Sequence, residues 1–176
     1  MDKGYIQVYT GNGKGKTTAA LGLGMRAAGR GLKVLMVQFL KGTFTGELES
    51  VKKLAPEFNI IRFGETKKFF FALNDEEKRE LGWKIQEEFR SLSKLLADNP
   101  CDVLILDEIM GTIANGFISV EEVTGLLDSK PEGMEIVLTG RDVPDEIAKR
   151  ADLITEMVPI KHYMDAGVPA RIGIEK

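Results

Sequence analysis

The sequence is poor in cysteine and histidine, and it has no long apolar run. Its single cysteine, Cys101, excludes an internal disulfide and any cysteine-rich zinc site. Because Cys101 begins an apolar stretch, we expect it to be a small buried residue. No apolar run approaches the roughly 18 residues of a membrane-spanning helix, and the N-terminus does not resemble a signal peptide. We therefore expect a cytoplasmic protein with no membrane segment.

Neither sign of charge is in large excess. The chain carries 24 Lys+Arg and 27 Asp+Glu, for a net charge of −3. This balance does not favour a nucleic-acid partner, which would be met by a basic surface. Hydrophobic residues make up 43% of the 176 positions. Length and composition together predict one globular domain over residues 1–176.

Short apolar strands alternate with helical segments along the whole chain. The predicted strands cover 5–9, 34–39, 59–63, 102–108, 135–139 and 153–158. The predicted helices cover 16–30, 75–97, a segment after 119, and 144–150. This alternation predicts an α/β fold, in which a mostly parallel sheet of about six strands has helices on both faces. We expect a three-layer P-loop sandwich of the RecA-like kind, with the first strand inside the sheet.

Two helices carry sequence signals for their start or their packing. Asn74 and Glu77 have the spacing of a capping box, as do Ser119 and Glu122 three residues apart. In the first helix, Gly22 and Gly24 predict a close approach to the sheet, because glycine in a helix costs about 1 kcal/mol relative to alanine. The only tryptophan, Trp83, lies in the long helix and is expected in the core.

The strongest motif follows the first strand. Residues 10–18 read Thr-Gly-Asn-Gly-Lys-Gly-Lys-Thr-Thr, and Gly15, Lys16 and Thr17 fill the end of the phosphate-loop pattern G-x-x-x-x-G-K-[ST]. The first position of the strict pattern holds Thr10, with Gly11 one place later. Glycines let backbone N–H groups approach phosphate oxygens, and the helix start adds its positive dipole end. Lys16 supplies charge to the phosphates, and Thr17 supplies a hydroxyl to Mg²⁺.

Two later strand ends carry groups suited to a nucleotide. Asp107 and Glu108 follow an apolar strand, where P-loop proteins place an acid that orients Mg²⁺. The residue types leave open which acid binds the metal and which lies behind it. Arg141 follows the strand 135–139, where its guanidinium can reach a phosphate or form a surface salt bridge. Since parallel strands share one carboxyl edge, these groups are expected together.

The chain resembles the ATP:corrinoid adenosyltransferases of the P-loop type. The resemblance rests on residues 8–20, on Val-Gln-Phe-Leu-Lys-Gly at 37–42, on Leu-Asp-Glu at 106–108, and on Leu-Thr-Gly-Arg at 138–141. The tail Lys-His-Tyr-Met-Asp-Ala-Gly-Val-Pro-Ala at 161–170 is its most specific part. The matches run in order over nearly the whole chain.

The resemblance implies that a cobalt(I) corrinoid attacks the 5′ carbon of ATP and that triphosphate leaves. It also implies Mg²⁺, a homodimer and a flavoprotein that delivers the reduced corrinoid. Carried over by motif, the catalytic residues are Lys16, Thr17, Glu108 and Arg141. Glu108 is favoured as the metal ligand with Thr17, and Asp107 stands behind them. The implied ATP-binding residues are Gly11, Asn12, Gly13, Lys14, Gly15, Lys16, Thr17, Thr18 and Arg26.

The resemblance is incomplete at the corrinoid site. Members often carry an N-terminal extension that covers the corrinoid, whereas here the first strand begins soon after Met1. Members also often carry Gly-Phe-Thr-Trp after the third strand, where this chain has Phe-Gly-Glu-Thr-Lys-Lys-Phe-Phe-Phe at 63–71. Phe69 and Phe70 are the candidate corrinoid contacts, and the alternative is a buried or partner-facing aromatic patch.

Three other classes share parts of this pattern. A nucleoside kinase of the thymidine type shares the loop and the Asp-Glu pair but usually carries a cysteine zinc site, which one cysteine cannot form. A RecA-like ATPase acting on DNA would use a basic groove or stacking aromatics, which the net charge does not favour. A non-enzymatic ATP-sensing module would not need both Lys16 and a metal acid.

Overall fold

The computed structural model describes residues 1–66 and 72–175. In them, six strands are connected by six α-helices, two of which lie between the fourth and fifth strands. The strands are Ile6–Thr10 (β1), Val34–Phe39 (β2), Phe58–Phe63 (β3), Val103–Asp107 (β4), Glu135–Thr139 (β5) and Leu153–Glu156 (β6). The helices are Lys16–Ala28 (α1), Glu47–Lys52 (α2), Asp75–Asp98 (α3), Ile109–Ala114 (α4), Val120–Asp128 (α5) and Asp145–Ala148 (α6). The predicted strands and helices are all present, and their predicted ends differ from the observed ones by at most two residues.

The six strands form one parallel sheet in the order β3-β2-β4-β5-β1-β6. β1 therefore lies inside the sheet, as predicted. β5 separates β1 from β4, so one strand lies between the phosphate-loop strand and the strand that ends in Asp107. Because every described pair is parallel, the carboxyl ends of the strands share one edge. The predicted meeting of loops at that edge is confirmed.

Alternate residues of each strand pack against different helices. On β4, Val103 and Ile105 pack with α1, whereas Leu104 and Leu106 pack with the helices of the opposite face. One apolar cluster joins the sheet to α1 and to Val51 of α2. The other cluster joins the sheet to α3, α4, α5 and α6. This arrangement is the predicted three-layer sandwich.

The capping boxes are both confirmed, and they fix the starts of two helices. The Asn74 side chain accepts a 2.9 Å hydrogen bond from the Glu77 amide, and the Glu77 carboxylate accepts one from the Asn74 amide. Ser119 and Glu122 make the same reciprocal pair at the start of α5. Among the described residues, α2 and α4 are helices that the sequence did not predict. Each has six residues, too few to display a helical period.

Two packing predictions from the sequence are wrong. Trp83 is 73% exposed, because it lies on the solvent side of α3 while Leu81, Ile85 and Phe89 face the sheet. Gly22 has open space where a Cβ would lie. Only Gly24 of the two makes the close approach, since a Cβ there would lie 2.6 Å from the ring of Phe58. In the described ranges, no helix is long and apolar enough to cross a bilayer.

Candidate active site

The loop between β1 and α1 surrounds the Lys16 side chain. Lys16 is 9% exposed, and its ammonium donates to the carbonyl oxygens of Gly11 at 2.7 Å and Gly13 at 2.9 Å. Burial lowers the pKa of Lys16 and Arg141 lowers it further, whereas the charges of Glu108 and Asp107 oppose the shift. The buried ammonium is therefore held by loop carbonyls at the place where the motif puts phosphate.

Glycine is required in this loop by backbone angles and by a neighbouring segment. Gly11 and Gly15 have φ values of 94° and 122°, which side chains of L-residues rarely adopt. A Cβ on Gly13 would lie 2.6 Å from the carbonyl oxygen of Met157, just after β6. The Gly13 amide also donates a 2.6 Å hydrogen bond to that oxygen. The segment after β6 thus packs directly on the phosphate loop.

Asp107 connects the phosphate loop to the two neighbouring strand ends. It is fully buried, and its Oδ1 accepts 2.8 Å hydrogen bonds from the hydroxyls of Thr17 and Thr139. Its Oδ2 lies 2.5 Å from the ammonium of Lys41. These donors bring together α1, β4, β5 and the loop after β2. A carboxylate in contact with the phosphate-loop hydroxyl is the arrangement expected of an acid that orients Mg²⁺.

Glu108 begins α4 in a left-handed conformation, with φ 65° and ψ 24°. A non-glycine residue in this region is strained, and such strain clusters at functional sites. The Glu108 amide donates a 2.9 Å hydrogen bond to the Thr139 hydroxyl, which keeps the turn in place. Burial and the Asp107 charge raise the pKa of Glu108, while Lys41, Lys16 and Arg141 lower it. Its carboxyl group therefore lies among the cations of the site.

The two predicted arginines lie in different places. Arg141 is exposed at the sheet edge, close enough for its charge to act on both Lys16 and Glu108. Gly140 before it has φ 141° and contacts Met110, so no side chain fits there. Arg26 lies near the end of α1, about 15 Å along the helix axis from Lys16. Burial and the charge of Glu135 raise the pKa of Tyr9, and the charge of Arg26 opposes this shift only in part.

The remaining predicted residues divide into exposed loop positions and positions that the structure does not describe. Asn12, Lys14 and Thr18 are exposed on the phosphate loop and at the start of α1. Lys14 lies 3.8 Å from Glu175 in the C-terminal segment. Phe69 and Phe70 lie outside the described residues. His162 accepts a 3.1 Å hydrogen bond from the Met164 amide, which gives it a local structural contact.

Sequence reasoning gave no role to Lys41, although it noted the motif that contains this residue. A lysine directly after a buried strand was the available signal, but the sequence does not reveal which acid it meets. The register supplies that information, because Gln38 of β2 lies beside Asp107 of β4. Lys41 then extends from the next loop to the same carboxylate. Thr139 was likewise noted only as a neighbour of Arg141.

The donor set at this edge fits magnesium. The oxygens of Thr17, Asp107 and Glu108 are the hard ligands that Mg²⁺ prefers. Within residues 1–66 and 72–175, no three His, Cys, Asp or Glu side chains come together as a metal site. The protein therefore offers a metal at this edge only two acids and a hydroxyl. Two acids and a hydroxyl suit an ion whose remaining ligands are water and phosphate oxygens.

The fold and this edge define a P-loop nucleotide-binding protein: a glycine loop before a helix, a buried lysine, and a threonine bonded to a strand-end aspartate. Residues 2–175 match the model of the family "ATP:corrinoid adenosyltransferase BtuR/CobO/CobP", and the chain belongs to that family.

Three curated relatives resemble almost the whole chain. The corrinoid adenosyltransferase of Escherichia coli (strain K12) is 37% identical over 175 residues, which cover 99% of this chain and 86% of that protein. Corrinoid adenosyltransferase CobA of Salmonella typhimurium is 35% identical, with the same coverage. The corrinoid adenosyltransferase of Pseudomonas aeruginosa strain PAO1 is 32% identical, covering 99% of this chain and 84% of that protein.

Proposed function

We propose that this protein transfers the 5′-deoxyadenosyl group of ATP to a cobalt(I) corrinoid and releases triphosphate. The observation that carries the proposal is the family match over residues 2–175, on a chain whose phosphate loop, Lys16 and strand-end acids meet at one edge. The curated relatives are named corrinoid adenosyltransferases, which supports the same substrate class. The reaction belongs to the formation or salvage of adenosylated corrinoids.

In this reaction a cobalt–carbon bond forms as the bond between C5′ and the α-phosphate oxygen breaks. Cobalt(I) supplies both electrons of the new bond, and the electrons of the broken bond leave with the triphosphate. No proton is removed from the nucleophile, so no general base is required. The protein's tasks are to position C5′ and to stabilise the leaving group.

The residues suited to the leaving group are Lys16 and Arg141. The Lys16 ammonium exchanges the carbonyl oxygens of Gly11 and Gly13 for phosphate oxygens when the nucleotide binds. Arg141 follows β5 and lies close enough for its charge to act on Lys16. Negative charge on the triphosphate grows as the C5′–O bond breaks, so fixed cations there stabilise the transition state more than bound ATP.

Mg²⁺ would be held by Thr17 and Glu108, with Asp107 behind them. The ion would neutralise charge on the triphosphate. Asp107 holds the Thr17 hydroxyl in place through its 2.8 Å bond. Glu108 lies close enough to Lys41, Lys16 and Arg141 for their charges to act on its carboxyl group. This division of roles follows the resemblance, and the Thr17–Asp107 bond supports it.

The partners of the reaction are further parts of the proposal. A flavoprotein would supply reduced corrinoid, and Phe69 and Phe70 would contact the corrin.

A homodimer is supported by β6, which has Leu153 and Ile154 almost half exposed. A reducing cytoplasm suits the single free thiol of Cys101. Analytical ultracentrifugation tests the homodimer directly.

The deciding experiment is an anaerobic assay with ATP, Mg²⁺ and chemically reduced cobalamin. Formation of a light-sensitive alkylcobalt spectrum together with inorganic triphosphate is the expected result. An unchanged cobalt spectrum, with ADP released on addition of nucleosides or DNA, would show a kinase or a DNA-dependent ATPase instead. Following cobalt and phosphate products in the same sample separates these outcomes.

A further inference from the structure

The buried carboxylate of Asp107 has a counter-cation within the chain. Lys41 Nζ lies 2.5 Å from Asp107 Oδ2, and the Lys41 side chain is 22% exposed whereas that of Asp107 is fully buried. The other carboxylate oxygen accepts hydrogen bonds from Thr17 and Thr139. Lys41 therefore occupies the one oxygen of Asp107 that the two threonines leave open.

The backbone on both sides of Lys41 is constrained. Leu40 has φ 57°, a left-handed conformation that is strained for a leucine. Its amide donates a 3.2 Å hydrogen bond to the carbonyl oxygen of Phe63. At Gly42 a Cβ would overlap the carbonyl oxygen of Thr66, so only glycine fits. Lys41 thus lies between a strained residue and a glycine that no other residue can replace without moving the loop.

Arg62 of β3 holds the same loop through three hydrogen bonds. It donates to Gln38 Oε1 at 3.1 Å, to the Thr43 carbonyl oxygen at 2.8 Å and to Thr45 Oγ1 at 2.9 Å. Gln38 is fully buried and lies in register between Arg62 and Asp107. Arg62 is therefore a positioning residue for the loop that brings Lys41 to the site.

We propose that Lys41 competes with the divalent cation for Asp107 and moves to the triphosphate when metal and nucleotide bind together. Two cations beside one carboxylate repel each other, so the Lys41 ammonium disfavours metal in the nucleotide-free protein. A bound triphosphate adds negative charge at the same edge and attracts both cations. Lys41 is then a second phosphate-binding lysine beside Lys16. The identity of the phosphate ligand rests on the proposed function.

The consequence is that metal and nucleotide load together. Without nucleotide, Lys41 neutralises the charge of Asp107, and binding of a metal ion beside this carboxylate is unfavourable. With nucleotide, release of Lys41 frees the Asp107 oxygen for the hydration shell of the metal. The site therefore binds free Mg²⁺ poorly, although it carries two adjacent acids.

The test measures Mn²⁺ binding to nucleotide-free protein by electron paramagnetic resonance. Lys41→Gln should bind Mn²⁺ at least about tenfold more tightly than the wild type, and Lys41→Arg should bind it as weakly as the wild type. Lys52→Gln is the matched control, because Lys52 is an exposed lysine on α2 that pairs with Glu49. It should leave the Mn²⁺ affinity unchanged.

A second titration uses inorganic triphosphate in the presence of a chelator. Lys41→Gln should lose about tenfold in affinity, while Lys41→Arg retains most of it. Arg62→Met should shift both titrations in the direction of Lys41→Gln. Because loss of Lys41 removes an ion-pair partner of the buried Asp107, thermal unfolding is measured as well. Mn²⁺ alone should raise the melting temperature of Lys41→Gln but not that of the wild type.

The proposal is overturned if folded Lys41→Gln binds Mn²⁺ and triphosphate like the wild type. It is also overturned if Lys52→Gln changes Mn²⁺ binding as much, since the effect would then reflect overall charge. None of these titrations contains a corrinoid. A wild type that fails to adenosylate cobalt would therefore refute the proposed function and leave the result on Lys41 unaffected.

Discussion

The hydroxyl of Thr17 donates a 2.8 Å hydrogen bond to Oδ1 of Asp107, linking α1 to the end of β4 across the intervening β5. Thr139 at the end of β5 donates to the same oxygen. Three segments of the chain thus meet at one buried carboxylate. We therefore expect both the stability of the fold and the geometry of the phosphate loop to depend on Asp107.

Asp107→Asn should therefore destabilise the protein. The amide cannot replace the carboxylate beside Lys41, and loss of one partner of a buried ion pair costs about 3–5 kcal/mol. Glu108→Gln should not lower the free energy of unfolding at neutral pH. Burial and Asp107 raise the pKa of Glu108, which means that the folded state disfavours its ionised form. Urea unfolding at pH 7 compares the two variants.

Glu108→Gln also tests which residue binds the metal directly. Glu108→Gln should weaken the magnesium dependence of the reaction, because a neutral amide oxygen is a poorer ligand than a carboxylate. An unchanged magnesium titration in this variant would assign the direct metal contact to Asp107. Lys52→Gln, which changes an exposed lysine of α2 that pairs with Glu49, provides the control and should leave the magnesium dependence unchanged.

Lys16→Ala should abolish most nucleotide affinity and preserve the fold. The ammonium donates to two loop carbonyls in the absence of ligand, and its removal leaves intact the apolar clusters that join the sheet to the helices. Loss of its charge-assisted phosphate contact should weaken ATP binding by roughly ten- to a hundredfold. Isothermal calorimetry measures the affinity and circular dichroism the fold. Normal ATP binding by the variant would refute the phosphate-loop assignment.

Two glycines of α1 form a matched pair for packing. Gly24→Ala should destabilise by about 1–3 kcal/mol, because the new Cβ would lie 2.6 Å from the Phe58 ring and 3.2 Å from Ile105 Cδ1. Gly22→Ala should stabilise by about 0.5–1 kcal/mol through helix propensity, since its Cβ meets open space. Equal effects in urea unfolding would contradict the placement of α1 on the sheet.

Cys101 should react slowly with iodoacetamide in the folded protein. Cys101 is only partly buried, whereas the sequence predicted a buried residue. This burial, followed by the charge of Asp102, raises the pKa of its thiol to about 11. The thiolate fraction at pH 8 is then about a hundredfold smaller than that of an ordinary thiol. The alkylation rate should rise steadily between pH 8 and 10, whereas urea-unfolded protein reacts fast at pH 8. Equal native and unfolded rates at pH 8 would disprove the burial.

The same shift makes stability fall at alkaline pH. The thiol of the unfolded chain loses its proton near its ordinary pKa, while the folded thiol keeps its proton until about pH 11. Between these values the unfolded state binds fewer protons, so the free energy of unfolding decreases as pH rises. Cys101→Ser should remove this part of the pH dependence.

Local signals in the sequence predicted much of the fold. The capping boxes at Asn74 and Ser119 depend on residues three positions apart, and both are present. The strands at 34–39 and 135–139 are mostly apolar segments bounded by loops, and their limits agree with β2 and β5. Trp83 was wrongly predicted to lie in the core because large apolar side chains are usually buried. Its position on the 3.6-residue helical period determines its exposure instead.

The site was less predictable, because its contacts join distant segments. Lys16, Thr17 and Asp107 are predictable from the phosphate-loop pattern and a strand end. The Lys41–Asp107 pair requires the order β2-β4 and its register, which no local pattern contains. The contact between Met157 and the phosphate loop likewise requires that β6 lies beside β1. Residues whose partners depend on strand order are those that sequence reasoning missed.

The hydrogen bond from the Gly13 amide to the Met157 carbonyl oxygen has a consequence for biosynthesis. The phosphate loop is synthesised well before Met157, because the elements from α1 to β6 lie between them. Until β6 has been made, the nascent chain therefore carries a nucleotide loop that lacks one of its supports. Nucleotide binding should mature only after β6 has joined β1, so ATP can assist the last step of folding but not the first.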